Sequence, residues 1–321
     1  MRGLTEFVYR NAFSRHFEGI DVAVSPFITT VSGKISNKHI KDVLPQNNQG
    51  LPLIPQLLSK DPLGFINMAH KLFELGYQEI NWNLGCPYSM VANKMRGSGF
   101  LPHPDKIDQF LSTVLEKIPN RLSIKMRLGR FNDDEIFSII PVLNAYPLSA
   151  LIIHPRTGVQ MYKGVPNLNK FEKCLPLSRH HVIYNGDIRS PKDYHTICER
   201  FPSVDGIMIG RGLLSNPFIL EIIDKPQVKL DYLRLKSFHD DLYNQYRSIL
   251  SGSGHVLGRM KEHWKYMSQE FHQSQKILKK IQRTVNFSQY ESSVLEAFSL
   301  QREKNITVRS LMGLSYFPPV Q

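Results

Sequence analysis

LSIKMRLGRFNDDEIFSIIPVLNAYPLSALIIHPR, residues 122–156, contains the pattern that decides the fold. It opens on an apolar run (122–129). An amphipathic segment of helical period follows (133–146), and a second apolar run closes it (150–156). An apolar run, a helix and another apolar run within about 35 residues make a parallel βαβ unit. The pattern extends both ways along the chain. VAVSPFI (22–28), LPLIPQLL (51–58) and EINWNLG (79–85) precede it, and HVIYNGDI (181–188) and GIMIGRG (206–212) follow. The runs are nearly continuous in apolar residues, as strands covered on both faces must be. Between them, 61–76 reads as a helix with Asp61 as N-cap, Pro62 in its first turn and Gly76 just past its end. Residues 190–201 read likewise, from Ser190 and Pro191.

Seven such units predict an α/β fold, a TIM (β/α)8 barrel whose first strand is truncated. An open doubly wound sheet is the alternative, but no GxGxxG follows a first strand. The reactive residues fall at the C-terminal ends of the runs: Cys86, Lys125 and Arg127, His154 and Arg156, Asn185 and Asp187, Gly210 and Arg211. In a barrel those ends share one face, the face on which active sites form. Past residue 228 the runs stop. Residues 229–250 and 257–283 are helical in period, with Gly252 and Gly254 between them and a short helix expected near 291–302. The reading is therefore a barrel domain, 1–228, and a basic, small all-helical domain, 229–321.

The chain has 321 residues, 41% of them hydrophobic, and a net charge of +12. The last 93 residues carry 14 Lys+Arg against 8 Asp+Glu, half the excess in under a third of the length. Such a surplus favours a polyanionic partner, nucleic acid before anionic membrane. No apolar stretch is long enough for a membrane span and no secretory signal opens the chain. Three cysteines (Cys86, Cys174 and Cys198) are too few for a disulfide framework, so a reducing compartment, the cytoplasm, is expected. No C-x-x-C pair occurs and the histidines are scattered, so no metal is expected. Monomer is the default state.

Cys86, between Gly85 and Pro87, is either a general acid or nucleophile held in a loop, or an inert buried thiol. Lys125 and Arg127 alternate with Ile124 and Met126 and so share one side of a strand. There they face an anion such as a phosphate or a reduced flavin, or they form a strand-end salt bridge. Gly206–Gly212 with Arg211, beside Asn185-Gly186-Asp187, fits a phosphate-bearing cofactor, glycines allowing backbone N–H groups to approach the anion.

In order along the chain, Asn83-Leu-Gly-Cys-Pro87, Gly97-Ser-Gly99, Lys125-Met-Arg127, His154-Pro-Arg-Thr157 with Gln160 and Tyr162-Lys-Gly164, Asn185-Gly-Asp187 and Gly206–Gly212 resemble the tRNA-dihydrouridine synthase family. The resemblance covers about residues 1–220, and the basic helical tail matches too. It implies an FMN-binding barrel followed by a helical domain that grips tRNA, with NADPH as reductant. Cys86 would protonate uracil C5 while the reduced flavin delivers hydride to C6. Met1, Arg2, Gln56, Lys125, His154, Asn185, Gly186, Asp187, Gly210 and Arg211 would hold FMN. Asn83, Arg127, Arg156, Arg259 and Lys261 would contact substrate or phosphate. Two departures stand out. The family's opening strand is missing ahead of Met1-Arg2-Gly3, so a version extended upstream is expected to be more stable and richer in flavin. Pro155 stands where glycine is common. Two other readings remain: an FMN barrel reducing a free pyrimidine-like small molecule, against which the basic tail speaks, and an RNA-binding protein without catalysis, against which Cys86 and Lys125 speak.

Overall fold

The computed structural model describes residues 1, 3–30 and 37–311, the side chains of 37–39 and 302–311 excepted. Nine strands are present among them: β1 Ala23–Val24, β2 Ile28–Thr29, β3 Leu53–Ile54, β4 Gln56–Leu58, β5 Glu79–Leu84, β6 Arg121–Gly129, β7 Leu151–Thr157, β8 Val182–Tyr184 and β9 Gly206–Ile207. Seven form one all-parallel sheet in the order β2-β4-β5-β6-β7-β8-β9. The order follows the sequence without reversal. That is barrel topology, since a doubly wound sheet needs a switch point. The two expected runs 22–28 and 51–58 are each interrupted at a proline, Pro26 and Pro55, which have no N–H for the ladder. Their first halves pair with each other as β1 and β3. The Ser25 hydroxyl accepts from Gln56 N at 3.0 Å to carry the pairing across the break.

Alternation along β5 sorts the chemistry. Ile80, Trp82 and Leu84 face the helices. Trp82 is fully buried, stacked on Phe110 with ring centroids 4.1 Å apart, and Phe65 and Phe100 meet it edge-on. Asn81 and Asn83 point the other way. Register places Asn81 beside Ser123 and Asn83 beside Lys125, and on the next strand Arg127 beside His154. A polar ladder therefore runs up the sheet's interior face. Pairing of β6 with β7 then shifts by one residue between Arg127 and Gly129, and the extra residue lies in the stretch holding Pro155.

The helix expected over 61–76 is Pro62–Glu74. The Asp61 carboxylate accepts from Leu63 N at 3.1 Å and Gly64 N at 3.2 Å, and Gly76 takes φ +95° beyond the end. Helix Pro191–Arg200 starts from a Ser190/Asp193 capping box. Contacts divide the chain into two units, residues 1–11 with 19–212 and residues 12–18 with 213–321. The division falls at Gly212 rather than at 228 because Phe218 and Glu221 pack on residues of the second unit. Phe218 packs edge-on against Phe17 at 4.9 Å, and Glu221 takes a two-pronged ion pair from Arg234 at 2.8 and 2.5 Å.

The second unit is helical, with Tyr232–Ile249, Ser253–Met267, Ser274–Arg283 and Phe287–Leu311 as its long members. The stretch 257–283 is two helices, not one, broken at Gln273, which sits at φ +60°. The helix expected near 291–302 runs from Phe287 to Leu311. Its Tyr290 hydroxyl, fully buried, accepts from Trp264 Nε1 at 2.9 Å and lies 2.7 Å from His239 Nε2. No helix among the described residues is long and apolar enough to cross a membrane.

Removing the cap by Asp61→Ala leaves two amide donors of the first turn unmet. We expect a loss of ~1 kcal/mol in urea unfolding, with no change in the spectrum of the folded state.

Candidate active site

A chain of amides crosses the interior face. Ser123 Oγ donates to the Ile80 carbonyl at 3.3 Å and accepts from Asn81 Nδ2 at 3.0 Å. Asn81 Oδ1 accepts from Gln56 Nε2 at 2.8 Å, and Gln56 Oε1 accepts from Asn83 Nδ2 at 2.6 Å. Asn83 Oδ1 is thereby aimed at the loop beyond β5, where it accepts from the backbone N–H of Gly85 at 3.0 Å and of Cys86 at 2.9 Å. From the other side, Ser98 N and Ser98 Oγ both donate to the Cys86 carbonyl at 3.0 Å. Gly97, at φ +54°, passes so close that a Cβ there would sit 2.8 Å from that of Cys86. The cysteine is buried, in no disulfide, and pinned by its own backbone.

Facing it is a concentration of cations. Arg127 is almost fully buried and donates to the Gly85 carbonyl at 3.0 Å and the Thr157 carbonyl at 2.7 Å. Burial lowers its guanidinium to about 10. Lys125 donates to Asn185 Oδ1 at 2.6 Å, and burial, then the charge of Arg127, lowers it to about 7. Arg156 has no exposed surface. It donates to both Asp187 oxygens, at 3.1 and 2.5 Å, and to His154 Nε2 at 3.0 Å. His154 Nε2 must be an acceptor there, so its proton is on Nδ1. Burial, and then Lys125, Arg127, Arg156 and Arg211, hold this imidazole far below its ordinary value, so it stays neutral. Arg211 adds a third contact to Asp187 at 2.6 Å. Burial alone would raise the Asp187 carboxyl, but Arg156 and then Arg211 bring it below the usual range. The site thus gathers four cationic side chains round His154, two of which, Arg156 and Arg211, are paired with the Asp187 carboxylate.

The structure joins most of the residues singled out from the sequence: Gln56, Asn83, Cys86, Lys125, Arg127, His154, Arg156, Asn185, Asp187 and Arg211 share this network. Met1 lies within electrostatic reach of Lys125. Arg2 lies outside the described residues. Gly186 is required by its neighbour, since a Cβ would meet the Tyr184 hydroxyl at 2.8 Å. The last glycines divide differently from the sequence reading. Gly212 is needed for packing, a Cβ falling 2.1 Å from the Ile188 carbonyl, whereas Gly210 opens on empty space. Arg259 and Lys261 belong to the helical unit, where Lys261 Nζ donates to the Thr284 carbonyl at 2.5 Å.

Sequence reasoning gave no role to Asn81 and Ser123, although their alternation with Trp82 and Ile124 marked their side of the strands. It also gave none to Tyr162, whose ring lies under both Arg127, at 5.4 Å, and Arg211, at 4.7 Å. Among the described residues no group of three or more His, Cys, Asp or Glu side chains is placed to hold a metal ion.

Comparison with known proteins agrees with this arrangement. The family model described as dihydrouridine synthase matches residues 1–309. The chain is 28% identical over 276 residues to the tRNA-dihydrouridine(16) synthase of Pseudomonas putida, covering 82% of this chain and 84% of that protein. It is 26% identical over 278 residues to tRNA-dihydrouridine synthase B of Vibrio vulnificus, covering 82% and 85%. Among solved structures it is similar to morphinone reductase (TM-score 0.51, 10% identity, 74% of this chain and 85% of that one). It is likewise similar to histamine dehydrogenase from Rhizobium sp. 4-9 (TM-score 0.52, 11% identity, 70% and 44%). At such identity these two show a shared barrel fold.

The Lys125 ammonium generates a pH prediction. Its folded value, about 7, lies below the ordinary lysine value. Between the two the unfolded chain holds the proton and the folded chain does not, so stability rises with pH through that window. Lys125→Met removes the penalty. The variant's advantage in melting temperature over the native chain, without ligand, should be greatest below pH 7 and shrink towards pH 10. An advantage independent of pH would show that the ammonium is not desolvated.

Proposed function

The chain belongs to the dihydrouridine synthase family, and from that membership we propose that it is an enzyme that reduces the 5,6 double bond of uridine in tRNA. The observation that carries the reading is Cys86. Its thiol is held by a doubly anchored backbone at the rim of a cationic site, within electrostatic reach of Lys125. The carbon to be protonated, uracil C5, needs a positioned acid. The thiol gives up its proton, and the thiolate left behind is favoured by the Lys125 ammonium.

The donor set fits flavin mononucleotide. Buried positive charge exceeds the one carboxylate available, and desolvated cations need an anionic partner. FMN, which NADPH reduces, would supply the hydride for uracil C6. We assign its binding to Gln56, Lys125, His154, Asn185, Gly186, Asp187, Gly210 and Arg211, and carry Met1 and Arg2 over from the family resemblance alone. Lys125 and Asn185, joined to each other, suit the anionic ring system. Neutral His154 offers its Nδ1 proton as a donor without adding charge. Arg211 and the open backbone at Gly210 suit the phosphate. Asn83, Arg127 and Arg156 are left to orient the substrate ring. A base in an RNA stack cannot reach Cys86, so the uridine must be extruded. The helical unit, with Arg259 and Lys261, would hold the RNA backbone. An ammonium has three donors, and one of Lys261's is committed to Thr284. The reducing cytoplasm fits three cysteines with no disulfide.

The test is mass-spectrometric detection of dihydrouridine in unmodified tRNA incubated with flavin-loaded protein and NADPH. Cys86→Ala should lower turnover by roughly 10²–10⁴ while flavin content and melting temperature hold. Equal turnover in the variant would remove Cys86 from the acid's role. Folded, flavin-loaded protein that makes no product would overturn the reaction itself.

A further inference from the structure

The loops beyond β5, β6 and β7 expose six large apolar side chains: Tyr88, Met90, Phe131, Val159, Tyr162 and Val165. Phe131 is 67% exposed and Val165 78%. Exposed apolar groups gathered in one place mark a binding surface. Continuity is shown by the contacts between the loops. Arg130 Nη1 donates to the Pro87 carbonyl at 3.1 Å, beside Tyr88, and the Arg130 guanidinium lies over the Phe131 ring at 5.6 Å. Val159 N donates to the Arg130 carbonyl at 3.0 Å. Phe131 and Val165 line a groove of about 790 Å³ whose other walls are amide-rich, with Asn132, Gln160, Asn167 and Asn169. Asp133, also in the lining, is matched by Lys170 at 3.4 Å and by Asn167 Nδ2 at 2.6 Å.

We propose that this groove seats an unstacked nucleotide next to the target uridine, its base lying on Phe131 against Val165. The inference rests on the RNA-reductase reading above. The occupant follows from three features together. An aromatic ring with a guanidinium over it and most of its surface in solvent is the platform on which single-stranded bases stack. The oxygens of Asn132, Gln160, Asn167 and Asn169 accept from Asp134 N, Thr157 N, Lys170 N and Arg200, which turns the amide nitrogens of Asn132, Gln160 and Asn169 towards acceptors such as a base edge presents. The groove is continuous with the catalytic site: Thr157, in its wall, gives its carbonyl to Arg127, and Arg130, beneath Phe131, holds the loop that carries Cys86. Extruding one uridine breaks the stack on either side of it, and a stacking surface adjoining the site recovers part of that loss. A protein segment or an apolar small molecule would gain little from the amides, and a phosphate alone would gain nothing from Phe131 and Val165.

The experiment compares the flavin-loaded native chain with Phe131→Tyr, Phe131→Leu and Phe131→Ala/Val165→Ser, using an unmodified tRNA transcript. None of these residues lies in the catalytic network. NADPH-driven flavin reduction without RNA, and the melting temperature, should be native in all three. KM for the transcript should rise roughly tenfold or more in the double variant, should rise in Phe131→Leu, and should stay native in Phe131→Tyr. The slope of binding against salt should not change, because no phosphate contact is lost. Native KM in the double variant, with dihydrouridine formed normally, overturns the groove and leaves the reductase reading intact. Native KM in Phe131→Leu alone overturns stacking, since an apolar group without a ring face would then suffice. No dihydrouridine from the native chain fails the reading and the groove with it.

Discussion

Positive charge drawn out of water round a single carboxylate is the constraint on which the rest of the site depends. Arg156 is completely buried, Arg127 nearly so, and Lys125 and Arg211 stand beside them, with Asp187 as the carboxylate that meets Arg156 and Arg211. Such an arrangement stabilises little, because desolvation consumes most of what attraction returns. Losing the carboxylate would be severe, since an unpaired buried guanidinium costs about 3–5 kcal/mol. The backbone is shaped to prevent that loss. Asp187 sits at φ +36°, a conformation aspartate tolerates better than most side chains. Gly186 before it has no room for a Cβ under the Tyr184 hydroxyl. The turn after β8 therefore exists to bring one carboxylate to two guanidinium groups.

The opposite flank is polar but uncharged. From Ser123 through Asn81, Gln56 and Asn83, each amide is bonded at both its oxygen and its nitrogen, so none can flip without breaking its neighbour's bond. The sense of the whole chain is set by the Ser123 hydroxyl, which donates to Ile80 and so must accept from Asn81. The last acceptor, Asn83 Oδ1, then meets two backbone N–H groups at the Cys86 loop. Neutral dipoles position the thiol without adding a charge that would disturb it, and the charges are kept for the other flank.

Much of this was legible in the sequence, because burial on two faces leaves a plain signature. Continuous apolar runs ending in polar residues gave the strands, and Asp61 and Ser190 gave helix starts through capping chemistry that acts over three residues. What was missed acts over longer range. The break in 22–28 depends on Pro26 lying opposite the stretch that holds Pro55, a pairing no single run reveals. The division of 257–283 depends on a left-handed Gln273, a residue with no special preference for that conformation. Tyr162 sits in a loop without periodicity, and only the fold brings Arg127 and Arg211 over its ring. Gly210 and Gly212 look alike in GIMIGRG, and only the position of the Ile188 carbonyl separates them.

Strand length explains why the two flanks differ in character. β6 has nine residues and β7 seven, but β8 has three and β9 two. Pairing of β7 with β8 ends at Ile153, while pairing of β7 with β6 continues to Thr157, roughly 13 Å further along the strand. One wall of the site therefore stands high and the other low. The low wall ends in the turns carrying Asn185, Asp187 and Arg211, whose side chains and open backbone suit a small, charged group lying deep. The high wall lifts Phe131, Val159 and Val165 beyond that depth into solvent. Arg127 and Arg130, three residues apart on one long strand and its loop, bind one to each level: Arg127 to the carbonyls of Gly85 and Thr157 within the site, Arg130 to the loop and ring that form its rim. The length of β6 thus couples the site assigned above to a cofactor with the groove proposed above for RNA, and a shorter strand would supply the first without the second.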